Sequence, residues 1–477
     1  MASRTTSTTT VPVSASDNIT GAYLARFRSV TDGSAGILPV TGAQRRFLLA
    51  RRLDPHGRPD VVPLFFAFPR GAVDPDRLRA AALRLAARHP ALRGRFDSLR
   101  GTPVLRLGPP SAEVRRIAAG PGESADDVLR RELAAWRPDG PALRLLLAAA
   151  PGDEEEILAV ALDHAACDEQ SLGIVTAGLS AAYGQPAQEQ EQDHGPDHDR
   201  EPDGVEEYRA AVELQLAAEA AASGGAARAH WAARLGALGS GHSGDHSGSP
   251  GSGRLPQPGA RSAEVSTGML THRLPAATGA ARGAVFPALL DAVSAAAHRL
   301  LGPGATPALG YPWGGRPAAA PPALGCFLNT LVHPATTGPA PAERTTPDAA
   351  PPATLEELSA RWWDDLDHAD TPFDEVVHAA RSAGASWTGT LDGLLTFEDL
   401  HRRPPLVLGG AAGRETHLAG RPLAAPFAVS ASHGEDLLVR FAWDRAHWPD
   451  PAAADAFAAL LDTLRRHLRA TAPGAAH

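Results

Sequence analysis

The chain has 477 residues, with 45 basic against 54 acidic side chains and a formal net charge of −9. All 45 basic residues are arginine. Without lysine there is no P-loop lysine for a nucleotide phosphate, no Schiff base to pyridoxal phosphate and no kinase strand lysine. The same absence argues against an enzyme that activates its own carboxylic acid by adenylation. An excess of Ala, Gly and Pro attributes the arginine bias to a GC-rich genome. A hydrophobic fraction of 43% and a charged fraction of 21% fit a globular protein. The acidic balance and the lack of a basic cluster argue against a nucleic-acid partner. No run reaches the roughly 18 apolar residues that span a membrane, and Met1 to Asn18 lack the apolar core of a signal peptide. Two cysteines, Cys167 and Cys326, are too few for a disulfide framework, so the expected compartment is the reducing cytoplasm.

Residues 1–35 read as a disordered tail with one short helical patch, Tyr23–Phe27. Thr41 caps a helix carrying Gln44, Phe47, Leu48 and Leu49 that ends before Pro55. Val61–Phe68 is a strand. Asp74-Pro75 starts a helix with Leu78, Ala82, Leu85 and Ala86 on one face, which stops at His89-Pro90. Val104–Leu107 is a strand and Ala125–Trp136 a helix. Leu143–Leu147 and Ile157–Leu162 are buried strands, and a helix with Leu172, Val175, Leu179 and Tyr183 runs to Gly184. Residues 185–204 form a polar linker, followed by the Ala-rich helix Val205–Ala222. Residues 238–262 form a flexible Gly/Ser/Pro segment. Beyond it come the helices Val285–Leu301, Thr354–Leu366 and Pro451–Leu468 and the strands Ala308–Tyr311 and Leu437–Trp443. The simplest architecture is α/β in two lobes, 36–184 and 205–477.

The chemistry concentrates between the strand ending at Leu162 and the helix after it. His164 there is flanked by Asp163, Asp168 and Glu169, and an imidazole beside carboxylates is a natural general base. His194, His198, His242 and His246 lie in segments without hydrophobic anchoring and do not make a built metal site, so none is expected. Gly241–Ser243 lacks the amphipathic helix that a phosphopantetheine-bearing serine needs. Trp362 and Trp363 read as core or lobe contacts.

Six segments in order resemble the condensation domains of nonribosomal peptide synthetases and their freestanding acyltransferase relatives. Asp163-His164-Ala165-Ala166-Cys167-Asp168-Glu169 resembles the family's His-His-x-x-x-Asp-Gly. Leu38–Arg45 looks like its opening Leu-(Ser/Thr)-x-x-Gln-x-Arg box, and Arg88–Phe96 like Arg-His-Glu-x-Leu-Arg-x-x-Phe. Tyr311–Arg316, Gly325–Leu331 and Thr371–Val377 look like its Gly-x-Pro-x-x-x-Arg, Gly-x-Phe-x-Asn-Thr-Leu and Pro-Phe-Glu segments.

The resemblance implies two chloramphenicol-acetyltransferase-like lobes arranged in a V, a pseudo-dimer with the active site at their junction. It implies His164 as the catalytic base, Asp163 and Asp168 as orienting residues, and Arg316 in a bidentate bridge to Asp168. It places Glu169, Trp313 and Asn329 at the tunnel or acceptor. No cofactor is bound in the family; substrates arrive on the phosphopantetheine arm of a carrier protein. The implied function is a freestanding condensation enzyme of natural-product biosynthesis. It transfers an acyl or aminoacyl group from a carrier-protein thioester to an amine or alcohol, forming an amide or ester.

Two positions depart from the family pattern: Asp163 replaces the first histidine and Glu169 the closing glycine. P450-recruiting relatives, inactive as condensation domains, share the Asp-Glu ending. An alternative is therefore a catalytically degenerate platform that binds a carrier protein or recruits a modifying enzyme. The spacing Asp163-x-x-x-x-Asp168 also matches paired aspartates of the heterocyclisation subfamily, which the rest of the loop does not resemble.

Overall fold

A computed structural model describes residues 18–34, 36–55, 57–185, 204–239, 267–275, 283, 285–302, 304–336 and 354–470. The four histidines at 194, 198, 242 and 246, Gly241–Ser243 and most of both expected linkers lie outside the described residues.

The N-terminal half begins with helix α1 (Ile19–Thr31), longer than the short helical patch Tyr23–Phe27 expected within a disordered tail. Asn18 caps it by accepting Gly21 N–H at 2.7 Å, and Tyr23 enters the core, where its hydroxyl accepts Val40 N–H at 2.8 Å. The Ser/Thr-rich surroundings hid a segment that docks by a few tertiary contacts. β1 (Ile37–Leu38) leads to α2 (Gly42–Leu53), which opens with a capping box in which Thr41 and Gln44 exchange bonds. Then follow β2 (Val61–Pro69), α3 (Pro75–Arg88), α4 (Pro90–Arg93), β3 (Arg95–Leu99), β4 (Thr102–Arg106), β5 (Glu113–Ala118), α5 (Ala125–Ala134), β6 (Leu143–Ala149), β7 (Glu155–Asp163) and α6 (Glu169–Gly184).

β7 lies between β2 and β6 and is antiparallel to both; β5 runs parallel to β6. Helices cover both faces, which is why these strands read as unbroken apolar runs. On one side α3 and α6 pack Leu78, Leu85, Val175 and Leu179 against Leu145, Leu158 and Val160. Gly178 permits their close approach, since a Cβ there would lie 2.5 Å from Leu85 Cδ1. On the other side α5 brings Val128, Leu129 and Leu133 onto Phe65, Leu146 and Ala159.

The second half contains α7 (Val205–Ala222), α8 (Gly225–Leu235), β8 (Thr267–Pro275), α9 (Val285–Leu301), β9 (Ala308–Trp313), β10 (Asn329–Pro334), α10 (Leu355–Leu366), α11 (Phe373–Ser382) and β11 (Gly393–Asp399). The short strands β12 (Val407–Leu408), β13 (Ala411–Ala412) and β14 (Arg414–Thr416) precede β15 (Phe427–His433), β16 (Asp436–Asp444) and α12 (Asp450–Ala470). Six strands form the sheet β10-β9-β11-β15-β16-β8, with β11 parallel to both neighbours. α9 and α12 close its core through Leu289, Val293, Leu460 and Leu464.

The boundary between halves is not where the sequence puts it. α7 belongs to the N-terminal core, where Tyr208, Val212 and Leu216 are buried with Leu92 and Tyr183. The later segment crosses back as well: Leu406 and Leu408 enter that core, and β14 pairs antiparallel with β2. Trp362 packs against Phe286, ring centroids 5.3 Å apart, but Trp363 is 60% exposed and is not a core residue. Among the described residues no helix is long and apolar enough to cross a membrane.

Candidate active site

His164 lies at the break between β7 and α6. Asp163 ends the strand, one 3₁₀ turn spans His164–Ala166, and Asp168 caps α6. The imidazole is half-buried and stacks on Phe47, ring centroids 4.4 Å apart and planes at 29°. Its Nδ1 is 3.3 Å from the Cys167 carbonyl. A carbonyl can only accept, so this contact assigns the hydrogen to Nδ1 and leaves the lone pair on Nε2. Burial holds the ring's pKa below 6.5, against the pull of Asp60. The product is a neutral imidazole of fixed tautomer, the form that can accept a proton at neutral pH.

α2 reads this turn with one stripe of side chains. Gln44 donates from Nε2 to Ala165 O at 2.8 Å, and Phe47 covers the imidazole. Arg51 grips Asp163 at both oxygens, with Nη2–Oδ1 at 2.5 Å and Nη1–Oδ2 at 3.0 Å. Positions 44, 47 and 51 share a helix face. Asp163 Oδ1 also accepts Ala165 N–H at 2.8 Å, so this residue anchors the turn.

Asp168 and Arg316 are in contact, with Nη2–Oδ1 at 2.7 Å, through one oxygen only instead of the bidentate bridge that the resemblance implies. Asp168 Oδ2 is taken by Phe327 N–H at 3.0 Å, and Arg316 Nη1 donates to the Ala323 carbonyl. Oδ1 further accepts Ser171 N–H at 2.9 Å and its hydroxyl at 2.7 Å. The carboxylate thereby ties α6 to the loop before β10.

Glu169 opens α6 with its side chain half-exposed, 3.7 Å from Arg403, which also faces Glu398 at 3.4 Å and Glu415 at 3.2 Å. Desolvation first, then Glu398, pushes its pKa up to about 7 despite Arg403. The next residue, Gln170, donates to the Gly314 carbonyl in the other half.

Trp313 and Asn329 are direct partners across β9 and β10. Asn329 Nδ2 donates to Ala369 O at 2.8 Å and Thr371 O at 2.6 Å, while Oδ1 accepts Thr330 N–H. Both of its amide hydrogens are engaged, so it positions the wall of the site. That wall borders a shallow cleft open to solvent between Arg46, Phe47, Asn329 and Phe373. Arg46 lies 3.7 Å from the centre of the Phe373 ring, and burial lowers its pKa to about 10.

The His164 turn thus lies between two bonded sets, Asp163 with Arg51 and Asp168 with Arg316, with Glu169 next to the second and Trp313 and Asn329 on β9 and β10. Sequence reasoning missed Phe47, Arg51 and Arg403. The first two were readable from the 44/47/51 spacing; Arg403 comes from a remote loop and carries no local signal.

Solved condensation domains share this overall fold. The starter condensation domain of rhizomide synthetase superposes with a TM-score of 0.63 at 16% identity, covering 93% of this chain and 97% of that one. The first condensation domain of the calcium-dependent antibiotic synthetase gives 0.61 at 18%, covering 91% and 96%. The X-domain in complex with OxyB from teicoplanin biosynthesis gives 0.59 at 17%, covering 91% and 93%.

By sequence, 130 residues are 39% identical to phenyloxazoline synthase MbtB of Mycobacterium tuberculosis, a match over 25% of this chain and 9% of the synthase. Another 39% match, to tyrocidine synthase 2 of Brevibacillus parabrevis, covers 69 residues, 14% of this chain and 2% of that synthase. The chain therefore corresponds to a small part of these curated relatives. No protein-family model matches it.

Proposed function

We propose that this chain is a condensation enzyme of nonribosomal peptide or hybrid natural-product biosynthesis. It moves an acyl or aminoacyl group from a carrier-protein thioester to an amine or alcohol. The observation that carries the reading is the placement of His164 at the strand-to-helix break, its ring stacked on Phe47 and its Nδ1 3.3 Å from the Cys167 carbonyl. The acceptor's lone pair attacks the thioester carbon, forming a C–N or C–O bond. His164 takes the acceptor's proton, the C–S bond breaks, and the proton passes to the departing thiolate. The phosphopantetheine arm belongs to the carrier protein, and the cytoplasm is where such partners meet it.

The test is incubation with an acyl-loaded carrier protein and candidate acceptors, followed by intact-mass detection of product. His164→Ala is expected to lower the rate by roughly 10² to 10⁴; a variant as fast as the parent refutes the assignment.

Glu169 favours one second reading, a degenerate platform that binds a carrier protein or recruits a modifying enzyme. On that reading Glu169→Gly leaves an inactive chain inactive; on the first, activity is measurable with or without it. Heterocyclisation gains nothing from Asp163 and Asp168, both of which are committed to arginines.

A further inference from the structure

We propose that Asp399, His401 and His433 form a binding site for a divalent transition-metal cation of the zinc type. The site is separate from the His164 turn and does not depend on the acyltransfer reading. One ligand atom from each residue lies within 4.8 Å of those of the other two. The backbone builds this closeness. Asp399 and His433 are direct partners at the ends of the parallel strands β11 and β15. His401 sits on the 3₁₀ turn Leu400–Arg402, and its N–H donates to Asp399 Oδ1 at 3.3 Å, which folds the turn back over the strand end. The two imidazole rings are 6.2 Å apart, edge to face.

Two imidazoles and one carboxylate suit a borderline cation such as Zn²⁺ better than Mg²⁺ or Ca²⁺, which prefer all-oxygen sets. Tetrahedral zinc with bonds of about 2.0–2.1 Å sets its ligand atoms roughly 3.3 Å apart. His433 is buried and Asp399 half-buried, while the exposed His401 ring is free of packing that would stop it moving toward them. Three protein ligands leave a fourth position for water. The cation would fasten the point where the chain leaves the C-terminal sheet for the crossing segment that carries Arg403 and β14.

The experiment titrates the 477-residue chain with Co²⁺ and Zn²⁺, with His194, His198, His242 and His246 changed to Gln so that they cannot contribute. One Co²⁺ per chain is expected, with the visible absorption of a low-coordinate ion, displaced by Zn²⁺. His401→Ala, at an exposed position, and Asp399→Asn should each weaken binding at least about 10-fold. In thermal melts, Zn²⁺ at about 100 times its Kd should shift the folding equilibrium of the parent roughly 100-fold and that of His401→Ala by no more than about 10-fold. Only the spectrum of hydrated Co²⁺, or a His401→Ala chain that binds as tightly as its parent, overturns the proposal.

Discussion

Removing the arginine that faces Asp168 tests how the histidine turn is held. In Arg316→Met the stem keeps its volume but the guanidinium is gone. Asp168 has 2% of its side chain exposed and Arg316 10%, so water does not reach the orphaned carboxylate easily. Asp168 keeps the bonds from Ser171 and Phe327, which soften the loss without neutralising the charge. Breaking a buried pair from one side costs about 3–5 kcal/mol. The variant also loses the donor to the Ala323 carbonyl and the cation packed 4.4 Å from the centre of the Phe327 ring. The upper half of that range is therefore expected, read as a fall in the urea midpoint by circular dichroism. The double variant Asp168→Asn/Arg316→Met should cost less than the sum of the two single variants, because either one alone already breaks the pair. If Arg316→Met unfolds within about 1 kcal/mol of the parent, the pair does not hold the turn.

Asp163→His should lower the melting temperature and not raise activity, because it strips Arg51 of its two-oxygen partner. Burial holds the pKa of His164 below 6.5 and lowers those of His89 to about 4 and His333 to about 3. The unfolded chain therefore takes up protons first, and the stability these residues contribute is complete above about pH 6.5 and lost as pH falls. His89→Gln should therefore lose less stability between pH 7 and pH 5 than the parent loses, and an equal loss in the two chains would contradict this. Glu169 runs the other way: raised to about 7, it favours the folded state at low pH and loses that contribution as pH climbs from about 4.5 to 7. Glu169→Gln should melt higher than the parent at pH 8 and no higher at pH 4. Gly204→Ala places a Cβ 2.4 Å from the Arg88 carbonyl oxygen at φ +64°, and should cost about 1–3 kcal/mol by denaturant titration.

The parts of the fold that announce themselves in the sequence are those whose stabilising partners lie nearby. Thr41 with Gln44 and Asp74 with Pro75 cap their helices within three residues, and both starts stand where the sequence puts them. The flanks of the His164 turn were likewise legible as an apolar strand followed by a helical repeat. β10, β11 and β15 were not, since each takes its identity from distant strands: Gly393–Asp399 pairs with both 309–310 and 427–433. The Ala-rich α7 gives its destination no clear face, and only the tertiary fold shows Tyr208 accepting Gln44 Nε2–H at 3.1 Å. The single-oxygen bridge at Asp168 was hidden for the same reason, because the competing donor is the backbone of Phe327.

The packing of α7 into the N-terminal core and of β14 into its sheet bears on how such chains can be recombined. A chimera spliced between residues 184 and 205 would join one parent's β2 to another parent's β14, and bury α7 of the second in the core of the first. Parents that differ at Phe65, Phe66 or Ala67, which oppose Thr416, Glu415 and Arg414, would meet a mismatched seam inside a single sheet. Exchange of whole two-lobed units avoids that seam, and exchange of half-units must carry residues 205–222 and 406–416 along with the N-terminal piece.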